Sequence, residues 1–241
     1  MRTVSIVIPA YNEEDYIGVL LKKILQVPTE EIGFQKQIIL VDDGSTDGTS
    51  EKAGAFEEVK VVQQENRGKG AAVQRGVREA TGDFMLVQDA DLEYNPSDYI
   101  PMLKALDEGD CVAVYGSRPM GVLGARGWVW PFPGKHPDQG VGPWAMNIIL
   151  AWLLFILSHM WITDLLTAYK IYPMALIKSF EVKTCGFETD HELTCKLIKA
   201  GASIVEVPIS YVPRSLEEGK KIRPRDGLIA LWTLFKYRFA D

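Results

Sequence analysis

The chain has 241 residues, 47% of them hydrophobic and 24% charged, the balance of a globular protein with room for one large α/β domain or two small ones. Its net charge of -6 disfavours bulk nucleic-acid binding, so no nucleic acid is expected as a partner. Three cysteines (Cys111, Cys185 and Cys195) lack metal-ligand spacing, and their odd count points to a reducing compartment rather than a disulfide framework.

Met1, Arg2 and Thr3 run straight into a strand pattern, so a cytosolic start is expected. Residues 4–8 form an apolar strand stopped by Pro9. Between residues 13 and 26, Ile17, Leu20, Leu21, Ile24 and Leu25 recur at helical spacing. Residues 38–41 predict a second strand. The turn-rich loop 42–49 follows, and its later residues can cap the next helix. A third strand is predicted at 59–62, a helix with a glycine-rich entry at 68–80, and further strands at 84–88 and 111–115. Strands alternating with helices predict a mostly parallel sheet covered on both faces. Ligands bind such sheets beyond the carboxyl ends of the strands. Three polar clusters fall there: Pro9 to Asn12, Asp42 with Asp43, and Asp89 with Asp91.

Asp89 and Asp91 follow an apolar run and lie two residues apart. Read as strand positions they face one side, so both carboxylates aim at one point. Glu93 is placed to complete the set. Hard oxygen ligands at a sheet edge suit Mg or Mn, and such an ion suits a diphosphate.

Beyond Tyr115 the alternation ends. Residues 116–142 are rich in Gly, Pro and Trp and read as a long loop or insertion. Residues 139–163 contain no Asp, Glu, Lys or Arg. They are long enough for a bilayer span, but polar residues and prolines interrupt or flank them. A buried helix is an alternative. The favoured reading is an interfacial or groove-lining helix, with Trp144, Trp152 and Trp161 suited to the headgroup boundary. A helix is predicted at 192–200 and a strand at 203–207. A final amphipathic helix carries Leu228, Leu231, Trp232, Leu234 and Phe235, and either docks on the domain or lies on a membrane. Between Arg214 and Arg238 seven basic residues face three acidic ones, which suits phosphates or an anionic membrane surface. His136 and His159 are isolated, which argues against a metal role for either. Gly68 and Gly70 read as residues that allow tight packing at a helix start rather than a phosphate loop.

Taken together, these residues resemble a family 2 glycosyltransferase with the GT-A fold. The motifs that carry the resemblance are Ile8-Pro9-Ala10-Tyr11-Asn12-Glu13, Val41-Asp42-Asp43 with the loop after it, Asn66-x-Gly68-Lys69-Gly70, Asp89-Ala90-Asp91 and Gly116-Ser117-Arg118. Residues 163–172 and 186–197, the run Glu206-Val207-Pro208-Ile209, and Arg214 with Lys220 resemble the narrower group of dolichyl- or polyprenyl-phosphate sugar synthases. Residues 119–142 match least.

The resemblance implies one GT-A domain over 1–241, with a nucleotide-sugar half (1–118) and an acceptor or lipid-facing half (119–241). It implies that Pro9, Tyr11, Asn12 and Glu13 hold the nucleotide, that Val41 and Asp43 flank the base, and that Asp89, Ala90 and Asp91 contact the donor. Asp89, Asp91 and Glu93 would surround Mg or Mn, although relatives often have Gln at the position of Glu93. Arg118 would meet a phosphate, and Lys170, Arg214 and Lys220 would reach the diphosphate and the acceptor phosphate. Asp91, Arg118, Arg214 and Lys220 are the catalytic candidates. Arg118, Arg126, Glu188 and Asp190 are the acceptor candidates.

The implied reaction is inverting transfer of a hexose from a nucleotide sugar to a polyprenyl or dolichyl phosphate, peripheral at the cytosolic membrane face. GDP-mannose is the first donor and UDP-glucose the second. A lipid phosphate is already anionic and needs no strong base, whereas a hydroxyl acceptor needs one. Asp164, Glu188 and Asp190 are candidates for that base, or orienting carboxylates. The chain ends at Asp241 without the apolar tail some relatives carry, so membrane contact is expected from the Trp-rich segment, the basic tail or a membrane partner subunit. The alternatives are a transferase acting on a saccharide hydroxyl, a silent nucleotide-sugar-binding module and a lipid-binding interaction protein.

Overall fold

The computed structural model describes residues 1–107, 112–123, 135, 140–213 and 224–240. Its centre is a seven-stranded sheet of order β3-β2-β1-β4-β6-β5-β7. The strands are β1 (Arg2–Ala10), β2 (Phe34–Asp42), β3 (Val59–Gln63), β4 (Phe84–Val87), β5 (Ala113–Ser117), β6 (Lys170–Pro173) and β7 (Ile204–Pro208). All pairings are parallel except the two made by β6. The mostly parallel α/β sheet is therefore as expected.

Strand alternation sorts the side chains. Val4, Ile6 and Ile8 of β1 enter one core with α1 (Glu14–Gln26), α2 (Thr49–Gly54) and α4 (Tyr99–Ala105). Val7 enters the other, with α3 (Lys69–Glu79), α6 (Val141–Ser158), α7 (Met174–Ser179), α8 (Thr189–Lys199) and α9 (Pro224–Phe239). Each fully buried Leu or Ile contributes about 1.5–3 kcal/mol of transfer free energy, so both helix layers are tied to the sheet chiefly by apolar burial.

Pro9 does not stop β1, which runs on to Ala10 with Pro9 paired to Val41. The reason is local. β4 pairs β1 only as far as Val7, whose carbonyl accepts from Gln88 N. Alternation turns the missing Pro9 N–H to that same side, where β4 has already diverged, so no ladder bond is lost. The gap between β1 and β4 is also where the strand order reverses, the expected place for a ligand.

Other boundaries shift. The fifth strand begins at Ala113, with Cys111 outside the described residues. Gly116 and Ser117, expected in a loop, end β5, and Arg118 opens the short helix α5 (Arg118–Leu123). The antiparallel β6 was not foreseen as a strand. α8 begins at Thr189, three residues before the expected start, which puts Asp190 in its first turn, where helix N–H groups favour negative charge. His159 terminates α6 in the left-handed region (φ 58°) and donates its N–H to Phe155 O.

α6 buries one face (Asn147, Leu150, Ala151 and Leu154) and exposes Val141, Ile149 and Ile156. It is long and apolar enough to cross a membrane. α9 buries Ala230, Thr233, Leu234 and Tyr237, while Leu228, Trp232, Phe235 and Phe239 stand exposed along the other side. The Trp232 and Phe235 rings stack at 6.2 Å.

Candidate active site

The carboxyl ends of β1, β2, β4, β5 and β7 meet at one edge. Because β6 runs the other way, its first residue, Lys170, also starts there, beside Tyr115. At the end of β1, Asn12 adopts φ 52°, a conformation Asn tolerates better than most residues. Its N–H donates to Ser45 Oγ at 2.9 Å and its Oδ1 accepts from Thr46 N at 2.8 Å, stitching β1 to loop 42–49. The Glu13 N–H donates to Thr49 Oγ1. Tyr11 is exposed, Pro9 partly so, and Glu13 is buried.

Asp42 and Asp43 organise loops. Asp42 accepts from Ser45 N and from the Ser50 hydroxyl. Asp43 accepts from Gln64 Nε2 (2.7 Å), Arg67 N (2.9 Å) and Gly68 N (2.8 Å), so its carboxylate shapes the entry to α3. Val41, expected beside the base, has its side chain fully buried in the core. Ala90 is likewise a core residue.

β4 ends at Val87, and Asp89 and Asp91 lie in the following turn. The strand argument for their shared direction therefore does not apply. The turn contains Leu92 at φ 61°, a conformation that costs a non-glycine residue about 1–2 kcal/mol and is typical of backbone held for function. Lys69, from the start of α3, pairs its ammonium with Asp89 Oδ1 at 2.6 Å. Burial opposes that charge, but Asp89 and Asp190 outweigh it and raise the Lys69 pKa.

Glu93 is engaged elsewhere: its Oε2 accepts from Tyr211 OH at 2.8 Å, and its carbonyl accepts from Val212 N. Among the described residues no three carboxylates, His or Cys converge to hold an ion, so the expected Asp89, Asp91 and Glu93 set is not assembled. Asp89, paired with Lys69, and Asp91 lie in one turn and are the two carboxylates available there. That chemistry fits Mg or Mn, which takes one or two carboxylates and fills its shell with substrate phosphates and water.

Among the described residues, Arg118 is the most tightly held cation at this edge. Its Nε and Nη2 donate to Asp164 Oδ2 and Oδ1 at 2.7 and 2.8 Å, and its backbone N–H donates to Oδ2 at 3.1 Å. Its guanidinium lies 4.8 Å from the Tyr211 ring centroid. This pair corrects the candidacy of Asp164 as a base: its carboxylate is 1% exposed and committed to Arg118. Glu206 on β7 secures the turn that carries it, accepting from Thr163 N (2.7 Å), Thr163 Oγ1 (2.8 Å) and Asp164 N (3.1 Å). Burial pushes the Glu206 carboxyl up to about 7, against those hydrogen bonds and with help from the Asp164 charge. From α6, Asn147 donates to Thr163 O and accepts from Leu165 N.

Lys170 does not reach the mouth of the site. It is fully buried, donates to Leu165 O at 3.1 Å and lies 5.1 Å from the Tyr115 ring centroid. Burial lowers its pKa, while Asp190 and Asp164 oppose the shift. Next to Asp190, His191 is buried, and burial with the Lys170 charge lowers its pKa to about 3. Glu188 accepts from Gly186 N at 3.2 Å. Asp190 faces Lys69 and Lys170 electrostatically.

Loop 183–189 packs on the start of α3. A Cβ on Gly68 would lie 2.8 Å from Cys185 O, and one on Gly70 would lie 1.9 Å from Thr189 Oγ1. Ala71 N donates to Cys185 O. The tight-packing reading of these glycines is thus the observed one. Arg126, Arg214 and Lys220 lie outside the described residues.

The residues that reasoning from sequence did not assign are Lys69, Tyr94, Tyr211 and Glu206. Lys69 and Glu206 sat inside motifs already singled out, and that was the available signal. Tyr94 stacks on Tyr169 at 4.6 Å, accepts from Ala168 N, and is pushed up to about 12 by burial. No local pattern marks it.

Comparison with known proteins agrees with this architecture. A dolichol-phosphate mannosyltransferase of Pyrococcus furiosus is 31% identical over 222 residues, covering 90% of this chain and 58% of that protein. An undecaprenyl-phosphate 4-deoxy-4-formamido-L-arabinose transferase of Pectobacterium carotovorum is 39% identical over 109 residues, 43% of this chain and 33% of that one. The chain thus spans between a third and about three-fifths of the length of these relatives. Glucosyl-3-phosphoglycerate synthase of Mycobacterium tuberculosis, solved with Mn2+, UDP and phosphoglyceric acid, shares the fold at a TM-score of 0.72 and 21% identity, over 98% of this chain and 78% of that one. The model of "Glycosyl transferase family 2" matches residues 5–148, and with the sheet and the edge described above it makes this chain a member of that family of glycosyltransferases.

Proposed function

We propose that the chain transfers a hexose, with inversion, from a nucleotide sugar to a polyprenyl or dolichyl phosphate at the cytosolic face of a membrane. The observation that carries this reading is Arg118, fixed by Asp164 at the same sheet edge as Asp89 and Lys69. Nε and Nη2 are used by Asp164, and among the described residues no hydrogen bond uses Nη1. A guanidinium held this way presents its remaining edge to a phosphate. The names of the two relatives support a polyprenyl-phosphate acceptor.

The residues divide the work. Residues 1–118 hold the nucleotide half, with Pro9 to Glu13 and Asp43 around the base and ribose, and 119–241 hold the acceptor half of one domain. Lys69, beside Asp89, offsets the negative charge that grows on the departing diphosphate, and Arg118 receives the acceptor phosphate. An acceptor phosphate is anionic at neutral pH, so the reaction needs no strong base, in keeping with the engagement of Asp164 by Arg118. Asp190 and Glu188 orient the acceptor side. Asp89 and Asp91 would hold Mg or Mn, which when bound neutralises the diphosphate oxygens. The exposed apolar faces of α6 and α9 support docking on the membrane surface, alone or with a membrane partner subunit.

GDP-mannose is the preferred donor, in line with the mannosyltransferase relative. UDP-glucose is the second reading, favoured by the UDP present in the structural neighbour. Radiolabelled GDP-mannose and UDP-glucose, offered in parallel with polyprenyl phosphate in detergent with and without Mn or Mg, test the proposal. Metal-dependent label in the lipid phase is expected. Donor consumption without lipid product would refute the acceptor assignment and turn attention to a hydroxyl acceptor.

A further inference from the structure

Glu206 has no substrate-facing task in the reaction above, yet it is the best-connected carboxylate behind Arg118. It sits on β7, the edge strand, in register with Tyr115 of β5. Its two oxygens take three donors from two consecutive residues, Thr163 and Asp164. Thr163 Oγ1 also meets Ser117 Oγ at 2.6 Å, on the residue just before Arg118. One carboxylate therefore braces both the turn that carries Asp164 and the strand end that carries Arg118.

We propose that Glu206 is a positioning residue: it holds the turn at Thr163 and Asp164 against Arg118, and its own charge weakens the capture of an acceptor phosphate there. This rests on the proposal that Arg118 receives that phosphate.

The electrostatic part follows from a count of charges. Asp164 already balances Arg118. An ionised Glu206 behind Asp164 makes the trio net negative, and a protonated one leaves it neutral. The groups that face Glu206 are Asp164 on its turn, Arg118 beyond it, and Tyr115 on the neighbouring strand; Tyr115 is neutral near pH 7, since burial raises its pKa. Glu206 changes charge inside the neutral range, so the effect falls where the enzyme would work. The protonated form can be accommodated, because Thr163 Oγ1 can turn its own hydrogen to Ser117 and accept from the Glu206 carboxyl.

The test compares the full-length wild type with Glu206→Gln and Glu206→Ala, using a short-chain polyprenyl phosphate in detergent and measuring KM for donor and acceptor from pH 6 to 8.5. The acceptor phosphate titrates too, near about pH 6. Taking the ratio of wild type to Glu206→Gln at each pH cancels that term. The acceptor KM ratio is expected to rise about tenfold across the range while the donor KM ratio stays flat, since one unit of pKa coupling corresponds to a factor of ten. Glu206→Ala is expected to raise the acceptor KM about tenfold at pH 6 with little change in donor KM, as the turn loosens. If that variant does not fold, the Glu206→Gln ratio still decides. A flat acceptor ratio with an active wild type overturns the role of Glu206 and leaves the transferase reading intact. A wild type that transfers no sugar to any polyprenyl phosphate overturns that reading and this inference with it.

Discussion

Asp164 grips Arg118 three times, twice at the guanidinium and once at the backbone N–H, from 46 residues away in sequence. Both side chains are buried, so removing one partner strands the other charge. Asp164→Ala is expected to cost about 3–5 kcal/mol of stability, read from urea or guanidinium unfolding. A loss within about 0.5 kcal/mol would show that the pair does not hold the site together.

Asp91→Ala tests the donor set in the turn after β4. The side chain is only partly buried, so the fold should survive with an unchanged melting temperature. Turnover should fall at least a hundredfold, on the order of removing one strong stabiliser of transition-state charge. Near-normal activity with and without Mn or Mg would remove Asp91 from the metal assignment.

Gly70→Ala addresses the contact between α3 and loop 183–189. Its Cβ would also lie 2.7 Å from the Cys185 carbonyl carbon and the Gly186 oxygen, backbone atoms that cannot rotate away. Overpacking of this kind costs about 1–3 kcal/mol. A melting temperature equal to that of the wild type would mean that the loop yields freely.

His191 should shape the acid limb of stability. Its folded pKa, about 3, lies below the ordinary 6.5, so between those values the unfolded chain binds the extra proton. Stability therefore falls as pH drops from 6.5 towards 3, by up to about 1.4 kcal/mol per pH unit from this group. Glu206 acts in the opposite sense. Its raised value of about 7 makes the folded state the better proton binder from 4.5 to 7, so its contribution falls as pH rises through that window. His191→Gln should flatten the acid limb in denaturation curves from pH 3.5 to 6.5. An unchanged slope would mean that His191 is protonated in place.

Replacing Trp232 and Phe235 together by Glu tests the exposed face of α9. Both are largely solvent-facing, so unfolding free energy should change by no more than about 0.5 kcal/mol for each. Co-sedimentation with vesicles containing anionic lipid should drop several-fold. Equal binding by both proteins would move the membrane contact away from α9.

The strands β1 to β4 were legible because each is a short apolar run between turn residues, and burial on both faces demands just that pattern. The glycines before α3 were legible because only a missing side chain permits so close an approach. β6 was hidden by Lys170 at its first position, a residue type almost never fully buried. Its surrounding run of Tyr169, Ile171 and Tyr172 was the usable strand signal. The shared aim of Asp89 and Asp91 was argued from strand alternation, which holds only while the chain stays a strand; β4 ends two residues before Asp89. The partnership of Arg118 with Asp164, and of Asp164 with Glu206, joins the start of α5, a loop and β7, and no local spacing encodes a contact made by topology.

Arg118 ends the first half of the chain, while the carboxylate that fixes it, and the Glu206 that braces that carboxylate's turn, belong to the second. A chimera that keeps residues 1–118 and borrows a foreign acceptor half would inherit the cation without its mounting. Exchange of acceptor specificity between relatives therefore has to carry the equivalents of Asp164, Thr163 and Glu206 as one inherited block, with the junction placed upstream of β5 rather than at the apparent midpoint.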